Sequence, residues 1–282
     1  MISASRRTDV PAFYMDWFMS GLDAGRFHVE NPFSGKLYMV PADPGSVHGI
    51  VFWSKDYGPF LAGGYARELQ RRGYGLGFQF TVNPEDRLLE PRVPPLAGRL
   101  SQMAELCRVV PPGAVTWRFD PVCHFVRDGT VGTNLDGLAR IADAAAEAGI
   151  TRCTTSFLDL YKKVLRRAAR VPGFSFTDPS TEQKAEILRR MAASLAKRGI
   201  ALAACCEREV VELLPDDAGV EQGACVFHPL LEKLYGPGLS HRRDKGQRVA
   251  AGCGCHESRD VGSYRHQPCL HDCLFCYANP GR

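Results

Sequence analysis

The chain has 282 residues, 45% of them apolar, enough to bury one substantial core and better suited to one large domain than to two small ones. It holds no run of about 18 apolar residues, the length a membrane span requires, and Arg6, Arg7 and Asp9 come too early for a secretion signal, so a cytoplasmic protein with no membrane contact is expected. The formal net charge of +4 is a mild excess, densest at 166–170 and 241–245; such runs are commonly solvated faces, which leaves nucleic-acid binding as a secondary reading.

Short β-rich runs alternate with longer helix-like stretches along most of the chain. Strands are expected at 2–5 ("ISAS"), 49–54, 75–82, 114–120, 151–158 and 201–207. Helices are expected at 11–24, 59–72, 95–108, 134–148 and 180–198. Pro11 suits a first helical turn, Gly149 and Gly199 suit helix ends, and "DPSTEQ" supplies capping residues before the fifth helix.

This repeat predicts an α/β fold, a complete or partial TIM-like (β/α) barrel spanning 1–236. After Glu207 the repeat fades. Residues 237–282 are read as an irregular Cys-rich tail packed on the barrel mouth, within the same globular unit, because so polar a segment needs a metal or the barrel to fold.

Polar groups stand at or just beyond the expected strand ends: Arg6, Arg7 and Asp9; Lys55; Asn83; Arg118 and Asp120; Ser156 and Asp159; Glu207. In a parallel barrel those ends meet at one mouth, where ligands bind. Gln79, Thr81 and Lys162 join them as expected lining, with a structural belt of ion pairs as the plainer role for the charged members.

Eleven cysteines without a secretion signal argue for metal binding or catalysis rather than disulfides. Cys269, Cys273 and Cys276 form Cys-x3-Cys-x2-Cys, a loop able to wrap three thiolates around an iron-sulfur cube and leave one iron open. Cys205, Cys206, Cys225, Cys253 and Cys255 stand farther apart, in "CC", "GAC" and "CGC". His256, His266 and His271 are candidates for zinc. Cys107, Cys123 and Cys153 carry no motif and are expected in the core.

The spacing in "CLHDCLFCYAN", with Phe275 before the third cysteine, resembles the cluster loop of radical S-adenosylmethionine enzymes, and "CLFCYAN" is similar to that of spore photoproduct lyase and its relatives. The resemblance implies a [4Fe-4S] cluster on Cys269, Cys273 and Cys276, whose open iron binds S-adenosylmethionine and generates a 5′-deoxyadenosyl radical. It also implies Phe275 near the adenine, and Arg6, Arg7, Asp9, Gln79 and Thr81 as cofactor-binding candidates. Arg118, Asp120, Asp159, Lys162 and Glu207 are the catalytic candidates. The loop stands at the wrong end of the chain for that family, where it normally follows the first strand, so the tail is expected to fold back over "SRRTD".

From end to end the chain also resembles the domain of unknown function 1848 family, through "ISASRRTDVPAFY", "IVFWSK", "QFTVNP", "WRFDPV", "SFLDLYKK", "GAC", "DKGQR", "CGC" and the terminal loop. Cys205, Cys225, Cys253 and Cys255 sit where that family pattern has them, which implies the four thiolates of a second iron-sulfur cluster or of a zinc site, with Cys206 as a substitute for Cys205 and unrelated core or surface thiols as the plainer reading. The expected partners are a substrate that is a small molecule or derived from nucleic acid, and a reductant such as flavodoxin or ferredoxin. Two other readings stay open: a zinc-stabilised nucleic-acid-binding protein using 241–248, and an iron-sulfur electron-transfer protein that does not use S-adenosylmethionine.

Overall fold

Eight strands make one parallel sheet in the computed structural model, which describes residues 1–32 and 34–279. They are β1 (Ile2–Ala4), β2 (Gly49–Ser54), β3 (Gly75–Thr81), β4 (Val115–Val122), β5 (Arg152–Phe157), β6 (Ala201–Ala204), β7 (Val220–Gln222) and β8 (Arg259–Asp260). Neighbours run β7-β6-β5-β4-β3-β2-β1-β8, with every pair parallel. Helices fill the crossovers, giving a partial TIM-like barrel whose sheet ends at β7 and β8.

The six expected strands are all present, and the last is shorter than expected: Cys205, Cys206 and Glu207 belong to the turn beyond β6. The helix expected over 11–24 is two, Val10–Phe13 and Met15–Asp23, parted at Tyr14 (φ −136°). That over 59–72 is likewise Gly58–Ala62 and Tyr65–Arg71, parted at Gly64, whose φ of 65° only glycine adopts freely. Sequence periodicity missed a hairpin (Arg26–Glu30 with Leu37–Pro41) and a small antiparallel sheet (His124–Arg127, Thr130–Thr133, Phe174–Thr177). It also missed β7, β8 and the helices Lys162–Ala168 and His228–Tyr235.

Burial on both faces explains the apolar strands. All seven residues of β3 are buried, as a parallel sheet covered by helices requires. Outside the sheet an aromatic cluster joins strands to helices: Phe52 meets Phe60 at 5.3 Å and Phe78 at 5.8 Å, and Tyr57 meets Phe80 at 4.8 Å. Among the described residues, no helix is long and apolar enough to cross a membrane.

The tail joins the sheet itself. Ile2 pairs with Arg259 and Ser3 with Asp260, so the eighth strand comes from the Cys-rich segment. The Asp260 carboxylate then collects the turn after β1: it accepts from Ser3 Oγ at 2.8 Å, Ser5 Oγ at 2.6 Å and the Arg6 backbone N–H at 2.7 Å. Asp260→Ala would leave these donors without an acceptor and should lower unfolding stability by roughly 2–4 kcal/mol. Denaturant titration measures this, and a loss no larger than that of an exposed Asp→Ala change would refute the clamp.

Candidate metal centre at the barrel mouth

Beyond the carboxyl ends of the strands lies a cavity of about 520 Å³, lined by eight of the cysteines: Cys205, Cys206, Cys225, Cys253, Cys255, Cys269, Cys273 and Cys276. The remaining three take core or near-core positions; Cys123 and Cys153 are fully buried and Cys107 packs against the core.

The hook at 269–279 reaches this cavity because several contacts hold it there. Asp9 caps the helix Val10–Phe13 through the Ala12 N–H (3.0 Å), and its other oxygen takes the Lys55 backbone N–H and His271 Nε2, both at 2.8 Å. Tyr14 Oη donates to the Pro268 carbonyl at 2.6 Å, and Tyr277 Oη to the Arg6 carbonyl at 2.8 Å. Cys273, Leu274 and Phe275 pack with Leu89, Val93 and Val164, while the Arg167 guanidinium donates to the Leu274 and Cys276 carbonyls. Asp9 is thus an anchor for the hook, and His271 is its partner.

Three thiols on one short loop interact electrostatically in this arrangement. Burial pushes Cys273 well above the usual thiol range and Cys269 up to about 12, with Cys276 adding to both. Behind Cys273 stands Lys55, 2.5 Å from Glu90 Oε1 and 5.3 Å from the Phe275 ring centroid. Burial opposes the Lys55 charge, yet Glu90 and Cys273 outweigh it and raise its pKa. Arg99, almost completely buried, is 3.8 Å from the same Glu90.

The other five thiols form a ring. Cys205 Sγ is 3.8 Å from Cys206 and 3.9 Å from Cys225, Cys253 neighbours Cys206 and Cys255, and Cys255 Sγ accepts from the Cys225 N–H at 3.2 Å. Its members come from three loops brought together by glycines. The Gly254 N–H donates to the Gly223 carbonyl at 3.0 Å, and a Cβ on Gly254 would stand 2.7 Å from that oxygen; one on Gly223 would stand 2.8 Å from the Ala204 carbonyl. The glycines of "GAC" and "CGC" therefore permit a backbone approach that a side chain would block. Cys206 has φ 63°, a left-handed conformation costing a non-glycine residue roughly 1–2 kcal/mol, and it lets two consecutive cysteines line the cavity.

Cations surround this ring. Arg118 Nη1 lies 2.7 Å from Cys225 Sγ and Nη2 lies 2.6 Å from Asp120 Oδ2, whose other oxygen accepts from Ser156 at 2.5 Å. Burial works against the Arg118 charge, but Asp120, Cys225 and Cys205 raise its pKa well above the ordinary value. Arg6 sits over Trp53 at 5.1 Å and feels Cys255 and Cys225, and its Nη2 is buried without a hydrogen-bond partner. Hydrogen bonds from Cys205 and Cys253, with Arg248 nearby, hold Cys206 well below the usual thiol range.

Of the residues expected from sequence, Arg6, Arg7, Asp9, Thr81, Arg118, Asp120, Asp159 and Phe275 line the cavity with all seven expected cysteine ligands. Gln79, Lys162 and Glu207 lie outside the lining. Gln79 donates to the Cys225 carbonyl at 3.0 Å, Lys162 is exposed, and Glu207 accepts from the Phe157 N–H at 2.8 Å. Asp260, Arg167 and Trp53 have no site role in the expectations from sequence, where Arg248 belongs to the basic loop 241–248 and His271 and Asp9 have other roles. His266 is exposed near Glu30 (3.6 Å), and His256 stacks on His228 at 5.0 Å.

Among the described residues, no three His, Cys, Asp or Glu side chains form the ligand shell of a single metal ion. An iron-sulfur cluster takes each thiolate on a separate iron, so its ligands need not meet at one point. Eight cavity-lining thiols flanked by partly buried Lys55 and Arg6 and by buried Arg118, with one guanidinium nitrogen of Arg6 orphaned, fit such a group.

Fold and mouth define an α/β protein, a partial TIM-like barrel whose parallel strands open onto a thiol-lined cavity. The chain belongs to the family described as "Domain of unknown function (DUF1848)", whose model matches residues 1–278. No curated protein matches it. Among solved structures it is similar to "Morphinone reductase", at 13% identity and a TM-score of 0.32, over 88% of this chain and 64% of that one, so it spans less than two thirds of that structure's length.

Burial pushes the Glu207 carboxyl from 4.5 to about 7 despite the Phe157 N–H. A raised value favours the fold in its protonated state: the contribution is complete below pH 4.5 and disappears as pH rises through about 7. Urea unfolding across this range should show stability declining, with Glu207→Gln flattening the decline; an unchanged slope in the variant would assign it to another group.

Proposed function

We propose that the protein is a radical S-adenosylmethionine enzyme in which Cys269, Cys273 and Cys276 hold a [4Fe-4S] cluster and S-adenosylmethionine completes it, while Cys205, Cys225, Cys253 and Cys255 hold a second cluster. One observation carries this reading: the three-thiol hook at the end of the chain and the polar end of the first strand line the same cavity, tied by Asp9 to His271 and by Tyr277 to Arg6. Bound there, the group would supply one electron to cleave the sulfonium of S-adenosylmethionine to a 5′-deoxyadenosyl radical.

The chain's own residues do the positioning. Lys55 and Arg99 set positive charge behind Cys273, offsetting the thiolate charge that ligation creates. Phe275, within the hook, lines the cavity, where its ring is available to an adenine. Arg7, whose Nη1 donates to the Gly262 carbonyl at 2.9 Å, and Arg6 offer guanidinium groups to a carboxylate. Arg118, Asp120 and Ser156 form a hydrogen-bonded group in the same lining, suited to orient a substrate that is a small molecule or derived from a nucleotide. A pocket of this size encloses a cofactor and excludes bulk water once filled.

Anaerobic reconstitution should give brown protein with more than about four irons per chain, the number one cube holds. Reduction with dithionite in the presence of S-adenosylmethionine should release 5′-deoxyadenosine, and Cys273→Ala should abolish the release. Colourless protein that takes up zinc and no iron would overturn the reading. The five-thiol ring adds a sharper expectation, because it has one thiol more than a cube needs. Cys205→Ala and Cys206→Ala should each keep the second cluster, by iron content and electron paramagnetic resonance, and the double variant should lose it.

A further inference from the structure

Resting on the cluster reading, we infer that the basic surface of the helix Lys162–Ala168 is where an acidic one-electron carrier protein docks to reduce the hook-bound cluster. The helix reads KKVLRRA and turns one face inward, with Val164 and Ala168 buried. Its other face carries exposed Lys162, Lys163 and Arg166, continued by Arg170. Among the described residues none of these four forms an ion pair: Asp159 pairs with Arg248 at 2.6 Å, and Asp272, which accepts from the Asn279 amide at 2.9 Å, acts on Arg167. Four cations without an ion pair among the described residues, on so short a segment, make a positive field that a partner of opposite charge neutralises.

The same surface is the outer wall of the hook. Arg167 holds the Leu274 and Cys276 carbonyls from beneath. Tyr277, the residue after Cys276, has its ring 5.6 Å from Lys163 Nζ and 6.2 Å from the ring of Tyr161. Tyr161, Leu165 and Tyr277 are each 42% exposed amid the cations. Aromatic and apolar side chains inside a charged rim are the composition of a protein–protein contact, and Tyr277 is covalently next to a proposed cluster ligand, Cys276. A carrier seated there has the short path that electron transfer needs. The transfer is one electron: the carrier is oxidised by one electron, the cluster gains it, and no proton or atom moves.

The test compares two reductants on the reconstituted protein, reduced flavodoxin and dithionite, by following the bleaching of the cluster in stopped flow. Lys163→Glu/Arg166→Glu/Arg170→Glu should slow reduction by flavodoxin at least about tenfold, the scale of lost electrostatic steering, and leave reduction by dithionite unchanged. Raising the salt should slow the wild-type reaction with flavodoxin and hardly affect the variant. Arg166→Glu/Arg170→Glu, which leaves the Lys163 contact with the hook intact, should give a smaller loss of the same kind. Equal flavodoxin rates in wild type and variants overturn the docking site, as does a variant that keeps those rates while losing affinity for a single-stranded oligonucleotide. Wild type that binds no dithionite-reducible cluster fails the earlier reading instead, so the two failures are distinct.

Discussion

A parallel pairing between the beginning and the end of the chain is the constraint on which the rest of the structure depends. Two residues of β8 lie beside two of β1, and the Asp260 carboxylate accepts from the Ser3 hydroxyl of β1 and from the Ser5 hydroxyl and Arg6 backbone N–H of the turn that follows. A ladder that short contributes little alone, since each hydrogen bond adds about 1 kcal/mol net. The clamp is strong because a single half-buried charge satisfies several donors, which would otherwise be left unpaired against the tail. With β8 in register, the chain continues through Gly262, whose carbonyl holds Arg7, to the hook that Asp9 and Tyr14 receive.

Charge decides what the mouth can hold. Eight thiols within one cavity would repel one another as bare thiolates; hydrogen bonds from Cys206 and Cys225, with burial, raise the Cys205 pKa, the hydrogen bond of Cys205 lowers Cys225 but that of Cys255, with burial, outweighs it, and burial raises Cys273. Ligation to a metal centre would remove the thiol protons and spread the charge over the metal. Arg6 and Arg118 stand at the ring, and Lys55 and Arg99 stand behind the hook, where a deprotonated state needs them. The carboxylates nearby are themselves paired, Glu90 with Lys55 and Asp120 with Arg118, so they hold the cations in place and leave positive charge facing the sulfurs.

The strands from β1 to β6 were legible because runs such as "GLGFQFT" combine apolar side chains with β-branched and aromatic residues and end in polar groups. The hook was legible because three cysteines at fixed spacing have few other uses. What stayed hidden is what periodicity does not record. β7 reads VEQ and β8 reads RD, too short and too polar to register as strands, and each exists because a neighbouring strand edge accepts it. Asp260 carries no motif; its importance comes from its neighbours in space. Asp9 looked like a ligand-gripping acid, and its oxygens are occupied by Ala12, Lys55 and His271. Cys206 looked like a spare, and only the positive φ of the turn puts it in the ring.

The two thiol sets differ in how they are assembled, and that difference orders their dependence on the fold. The hook's three cysteines lie within eight residues of one loop, so their proximity to one another is local and only their placement over the mouth needs the clamp. The ring draws on the turn after β6, the loop after β7 and the tail before β8, and so it exists only when the barrel and the tail are docked together. Any group that binds the ring binds the docked state alone, and its binding free energy is added to the stability of that docking. The Gly223 and Gly254 contact lies within this junction and brings Cys225 and Cys255 to one wall. The ring is therefore the latch of the tail as well as a candidate centre, and the hook depends on the same tail for its place over the first strand.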